Sequence, residues 1–454
     1  MRRLACSFVL AVFAVAARAD DWPQFLGPEG TGSSAETGLL EAWPAAGPRV
    51  LWKKEVGEGH AAPSVRGERV VFFHRRGDEE VVECLDATTG ATAWRQAYAT
   101  RFVDPYGYNG GPRCTPLLTA NRCYTFGAEG MLTCLDLASG GIVWQRDTGR
   151  EFNVPPAFFG VGASPVLDGE RLLVMVGGQP RSGVVAFDAA TGKTLWQAVG
   201  PDDFPDATRP IQRDRPPVKL ASYAAPSLAT IHGTRHLLCL MRPGLVSLDP
   251  ATGAVNFTVW FRSRLHDSVN AARPVVIDDT IFLTAAYDTG AALVEVAADG
   301  RSARVAWQDE EAMQCHWSTP LARDGFVYGF SGRHENGADL RCVRAHDGKV
   351  MWRSPDDAAA ASDAPTLFGR GSAILADGRF IALGERGTLA LLEADPNGLR
   401  ERSRATFAEL GYPCWTAPVL ANKRLFITGA RAAPGGDGFG GLEYHLLAID
   451  LAAP

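Results

Sequence analysis

The feature that most limits how this chain can fold is a phrase that recurs along it: a short apolar strand, an acidic residue, a Gly turn and a Trp. It reads Cys84-Leu85-Asp86-Ala87-Thr88-Thr89-Gly90 and closes on Trp94. It returns as Cys134-Leu135-Asp136 with Gly140 and Trp144, and as Ala186-Phe187-Asp188 with Thr191-Gly192 and Trp196. Weaker copies follow. Ser247-Leu248-Asp249 has Phe257 where Trp is expected, Glu295-Val296-Ala297 runs to Trp307, and Cys342-Val343-Arg344 runs to Trp352. Leu391-Leu392-Glu393 has no Trp, and Ala448-Ile449-Asp450 is the last copy. The eight anchors, 86 to 450, step by 52 residues on average. That period exceeds the ~40–45 residues of Trp-Asp propeller blades and approaches kelch length. A repeat of this length, carrying two strands about a turn, predicts a toroid: an all-β, eight-bladed β-propeller of four-stranded antiparallel blades.

Within the first copy, Ala62-Pro63-Ser64-Val65 opens the inner strand. Arg69 to Phe73, Val81 to Leu85 and Ala91 to Trp94 are the second, third and fourth strands. Pro recurs at the inner-strand start in most copies, where it removes no needed ladder donor. Gly after Asp-x-x-Thr supplies the positive φ of a tight turn. The Trp reads as a wedge between blades, since it buries much apolar area per residue. The last copy lacks a turn and a Trp, but a spare strand, Arg49-Val50-Leu51-Trp52-Lys53, matches Lys193-Thr194-Leu195-Trp196-Gln197. It is expected to pair into blade eight, so that the N-terminus closes the ring and leaves no open edge.

The 454 residues, 21% charged and 46% hydrophobic, have ordinary globular composition. The repeat predicts one propeller domain over 49–454, preceded by an extension over 20–48. Net charge is −6 with no Lys/Arg-rich run, which argues against a nucleic-acid partner. Residues 1–19 read as an export signal: Arg2-Arg3, an apolar core from Leu4 to Ala17, and Ala17-Arg18-Ala19 before Asp20-Asp21. The expected mature chain is periplasmic or secreted, monomeric, without a transmembrane helix and without a lipid anchor. Eight Cys remain after Cys6, with no C-x-x-C pair, so a zinc site is disfavoured. Cys123 and Cys134 are expected to face each other across a hairpin, either as a disulfide or as two core thiols.

The A-x-D-x-x-T-G-x-x-x-W phrase resembles the repeat of pyrroloquinoline-quinone-type (PQQ-type) β-propellers, over almost all of the expected mature chain. That family includes quinoprotein alcohol dehydrogenases, the lipoprotein propeller of outer-membrane protein assembly, and exported proteins of unassigned role. Asp21-Trp22-Pro23-Gln24-Phe25-Leu26-Gly27-Pro28, the Phe330-Ser331-Gly332-Arg333-His334-Glu335 segment and the Gly384-Glu385-Arg386-Gly387 tip resemble the third group. The adjacent Cys-Cys pair common in the dehydrogenases is missing. No motif here matches their calcium ligands or catalytic Asp, and no lipidated Cys opens the mature chain. Fold resemblance does not carry over either function.

Strand order puts inner-strand starts, hairpin tips and blade-to-blade crossings on one face, and the Asp-x-x-Thr-Gly turns on the other. The long insertions (101–112, 147–162, 197–222 and 353–365) all fall on the first face, where repeat proteins commonly bind. Just before the inner strands stand His60, Arg113, Tyr223, Asn270, His316 with Trp317, and Trp415. They are expected to ring the channel mouth, either as a ligand site or as strand-end caps satisfied by water. His60 and His316 with Cys315 are a weak metal candidate, because their spacing gives no support. Arg75, Arg76, Arg333, His334, Glu385 and Arg386 fall at hairpin tips, either as an anion site or as solvated charge. Pro205 to Lys219 reads as an extended surface loop and Gly435 to Gly441 as a flexible tip. No G-x-S-x-G and no H-E-x-x-H is present.

Three functions follow as expectations. The first is a binding or scaffold propeller with a protein partner or small ligand on the crossing-bearing face and no cofactor. The second is a periplasmic oxidoreductase using PQQ with calcium. The third is a carbohydrate- or peptide-binding propeller with hydrolytic or lyase chemistry, which would need paired carboxylates at the mouth.

Overall fold

Each repeat folds as one four-stranded antiparallel blade, and eight blades form the ring. The computed structural model describes residues 21–156, 159–204, 220–263, 265, 268–354, 368–433 and 441–453. The expected export signal, the Pro205 to Lys219 loop, most of the Arg353 to Pro365 insertion and most of the Gly435 to Gly441 tip lie outside them.

Blade one comprises Ser64–Arg66, Arg69–Arg76, Glu79–Asp86 and Thr92–Ala99. Blade eight takes three strands from the C-terminus, Val419–Ala421, Arg424–Ala432 and Leu442–Asp450. Its outer strand is Val50–Val56, antiparallel to the last, with Trp52 opposite Ala448. The ring closes as the sequence predicts.

The Trp and the Gly of the repeat act on each other across blades. Trp52 of blade eight donates its indole N–H to the Ala87 carbonyl of blade one at 2.9 Å. Trp94 of blade one reaches Leu137 in blade two at 3.0 Å, and Trp144 reaches Ala189 in blade three at 3.0 Å. The rings of Trp52, Trp94, Trp144, Trp196 and Trp307 lie on the turn Gly of the next blade. A Cβ on Gly140 would stand 2.5 Å from Trp94, and one on Gly253 would stand 2.6 Å from Trp196. The Gly is therefore required twice, for close approach and for its positive φ. The Asp holds the same turn: Asp86 Oδ1 accepts from Thr89 N and Thr89 Oγ1, both at 2.8 Å.

One expectation is corrected here. Cys123 pairs with Leu135, and Tyr124 with Cys134. The one-residue offset puts the two thiols on opposite faces of blade two, in separate core clusters. All eight cysteines described are free and buried.

The N-terminal segment closes the far end of the channel. Trp22 exchanges both backbone hydrogen bonds with Val65 of blade one, and Leu118 N of blade two donates to Pro23 O. The strap then crosses to blade five, where the Arg273 guanidinium donates to Gly30 O at 2.8 Å. Ser33–Ser34 add a fifth, parallel strand to the inner edge of blade seven, and Lys423 N of blade eight donates to Glu36 Oε2 at 2.6 Å. Trp22 is 1% exposed and shares a core with Leu39, Trp52, Val65 and Ile449. This strap makes the channel a cup that opens on the face bearing the crossings.

Candidate functional site

The cup is a cavity of about 200 Å³ with Phe25 and Leu26 of the strap at its floor. Its wall follows from the repeat. The residue three before the strand-starting Pro is His60, Arg113, Gly162, Tyr223, Ala271, Trp317 and Trp415 in seven of the blades. Blade seven has no such Pro. Its hairpin register pairs Ala376 with Arg379 as blade one pairs Arg66 with Arg69, so counting back makes Arg370 the equivalent residue. All eight positions line the cavity.

This ring corrects the sequence reading at several points. Asn270 stands one residue early. Ala271 takes the wall position, and the Asn270 amide instead donates to Met241 O at 2.9 Å and Phe261 O at 3.1 Å, as a brace. His316 is also one residue early, yet it reaches the cavity from behind Trp317. Glu385, placed by the sequence among the hairpin tips, is fully buried. Its carboxylate accepts Arg370 Nη2 at 2.8 Å, Arg370 Nε at 3.1 Å and Trp415 Nε1 at 3.2 Å. Arg370 in turn lies over the Trp317 and Trp415 rings, at 4.6 and 5.2 Å. Arg75, another supposed tip, pins the crossing after blade one through Gly110 O at 3.2 Å. Arg76 donates to Glu55 O at 2.8 Å. Arg386 is exposed and pairs with Glu335. Arg333 lies over the Tyr287 ring at 4.4 Å on the rim, and His334 is exposed beside it. Cys315 is buried away from the cavity, its N–H donating to Thr284 Oγ1 at 3.1 Å.

Sequence reasoning missed Arg370, Tyr108, Phe159 and Tyr287. Arg370 was recoverable from the hairpin register. The other three sit on crossings or tips whose path no repeat dictates. Tyr287 carries its own signal, a non-Gly turn in Ala286-Tyr287-Asp288-Thr289. Its φ of 63° is a conformation bulky residues rarely adopt.

These side chains form a near-continuous aromatic belt. Centroid separations are 5.0 Å for His60–Trp415, 5.2 Å for Trp415–Trp317, 5.5 Å for Trp317–His316 and 5.3 Å for His316–Tyr287. Across the cup, Tyr108 meets Trp415 at 5.4 Å and Phe159 at 6.0 Å, and Phe159 meets Tyr223 at 5.4 Å.

Charge at the wall is paired off. Arg113 Nη2 holds Asp104 at 3.0 Å, as Arg370 holds Glu385. Burial, helped by Arg113, pushes His60 down to about 3; burial, helped by Arg370 and Arg333, does the same for His316. Both imidazoles are neutral at pH 7. The unfolded chain protonates them near 6.5, so it binds more protons than the folded state between about 3 and 6.5. Stability is therefore full above pH 6.5 and is expected to fall with acidification through that window, by at most ~1.4 kcal/mol per pH unit for each His. Melting temperatures of wild type and His316→Gln across pH 4–7 check this; the variant's profile should be flatter.

Among the described residues, no group of three or more His, Cys, Asp or Glu could hold a metal ion. No described helix is long and apolar enough to cross a membrane.

The chain matches the PQQ-type repeat family described as outer membrane protein assembly factor BamB over residues 77–328, more than half its length. No curated protein matches the sequence. Solved structures share the fold at low identity. BamB from Moraxella catarrhalis aligns with a TM-score of 0.55 at 14% identity, over 88% of this chain and 99% of that one. Quinohemoprotein alcohol dehydrogenase from Comamonas testosteroni aligns with a TM-score of 0.62 at 14% identity, over 96% and 81%. A europium-containing methanol dehydrogenase aligns with a TM-score of 0.64 at 12% identity, over 95% and 98%. At such identities the likeness carries the fold alone. Repeat phrase, eight-bladed ring and family match agree, and the chain belongs to the PQQ-type β-propeller family described as outer membrane protein assembly factor BamB.

Proposed function

We propose that this is an exported binding propeller whose cup holds a small ligand and whose crossing-bearing face meets a partner protein. One observation carries the reading: the two carboxylates nearest the cup, Asp104 and Glu385, are both held by arginines. A hard cation such as calcium takes six to eight oxygen ligands. Among the described residues the wall has no free carboxylate set to supply them, so PQQ with calcium does not fit these residues. His60 and His316 titrate far below neutral pH, so neither is a poised acid–base group there. Export rests on residues 1–19, as the sequence predicts.

The test is a titration of purified mature protein with PQQ and Ca²⁺, following melting and quinone absorbance together. No saturable shift at large excess is the expected result. A shift with quinone absorbance, lost in the His60→Ala/His316→Ala double variant, would replace the binding reading with an oxidoreductase.

A further inference from the structure

We propose that the cup takes a single saccharide ring, an uncharged polyol with two C–H-rich faces; this rests on the binding reading above. Four features of the wall converge on that chemistry.

The first is size. About 200 Å³ falls below the ~300–1,000 Å³ of sites for drug-sized ligands and suits one ring. The second is the belt. The negative π-faces of Trp317, Trp415 and Tyr108 attract the weakly positive C–H groups of a pyranose or furanose face. The third is charge. Arg113 and Arg370 are neutralised within the wall by Asp104 and Glu385. A multiply charged ligand would lose its water without gaining a counter-charge there.

The fourth is the direction of the protons. Arg370 Nη1 can only donate, so His316 Nδ1 accepts from it, at 3.2 Å. The neutral ring then carries its proton on Nε2 and donates it to the Tyr287 hydroxyl at 3.0 Å. The Tyr287 O–H is left without an acceptor among the described residues. The same logic frees two more donors. Tyr223 Oη already accepts from Phe159 N at 2.9 Å, which leaves its own proton free. Asn109 is oriented by the Gly111 N–H on its Oδ1, so its Nδ2 donates to His60 Nε2 at 3.0 Å. His60 therefore carries its proton on Nδ1. Three neutral donors from three blades thus line one aromatic cup, matching the spread hydroxyl oxygens of a sugar ring. Tyr287 holds a left-handed φ of 63°, which a bulky residue rarely adopts.

The experiment is a titration of the full mature protein with methyl glycosides of the common hexoses and pentoses, followed by tryptophan emission and calorimetry. At least one glycoside is expected to give a saturable emission change. Tyr287→Phe keeps the ring stacked under Arg333 and removes only the hydroxyl, so its affinity should fall about tenfold with melting little changed. Trp415→Ala should abolish the response. If no glycoside responds but p-hydroxybenzoate or PQQ saturates in wild type and not in Trp415→Ala, the saccharide class is wrong while the cup still binds. If no probe of either kind responds, the saccharide proposal falls. Quinone absorbance with turnover would remove the binding reading itself.

Discussion

Arg370→Ala is expected to destabilise the protein by about 3–5 kcal/mol, the usual cost of leaving one partner of a buried pair without the other. The Glu385 side chain has 0% exposure and that of Arg370 13%, so water cannot reach in to replace the lost guanidinium without opening the wall. Four more contacts go at once: Arg370 N–H groups to His316 Nδ1 and Arg333 O, and the stacking on two Trp rings. His316 loses the donor that fixes its tautomer, so the Tyr287 proton is no longer directed. Denaturant midpoints should show the stability loss, and ligand titration should show a separate loss at the cup. Arg370→Met with Glu385→Leu, which removes both charges, should recover much of the stability and none of the binding. If the single variant unfolds within about 1 kcal/mol of wild type, the pair is not a clamp.

Trp22→Ala should cost a similar amount, about 3–5 kcal/mol, through cavity formation. This residue lies outside the repeats, where sequence alone would predict a tolerant extension. It is expected to matter because the indole sits in the core joining the strap to blades one and eight. Its loss should free the strap and expose Arg273. That cation is buried with no carboxylate partner among the described residues; it is solvated by Gly30 O and Ser227 Oγ, and burial holds it down to about 10. A chain beginning at Leu39 should go further: the channel becomes open at both ends, Phe25 and Leu26 leave the floor, and the cup loses its ligand. Melting, limited proteolysis and ligand titration on both forms check this. A truncated chain that melts like wild type would show that the strap is not structural.

The two effects locate what a reader of the sequence could and could not see. Blade count, the pairing of Trp52 into blade eight, and the Trp wedge between blades were legible, because strand alternation, turn glycines and a repeated wedge act within one period or between neighbours. Five of the eight cup-wall residues, His60, Arg113, Tyr223, Trp317 and Trp415, were named from the sequence, Gly162 and Ala271 follow by the same rule, and Arg370 escaped only because Ala373 replaces the marker Pro. The rest depended on convergence. Glu385 reads as a charged tip until Arg370 and Trp415, from blades seven and eight, fold over it. Cys123 and Cys134 look opposed until the register shifts them by one and turns them to different faces. Tyr108, Phe159 and Tyr287 come from segments whose course no period sets. The sequence determined a closed ring of eight blades and the positions that face its mouth, since these follow from local geometry repeated. Only the tertiary structure decided that the channel is a cup and that its charges cancel in pairs. The strap closes the channel by reaching Arg273, 243 residues further along the chain, and the paired charges, though only 9 and 15 residues apart, sit on a crossing and a hairpin tip whose course no period sets.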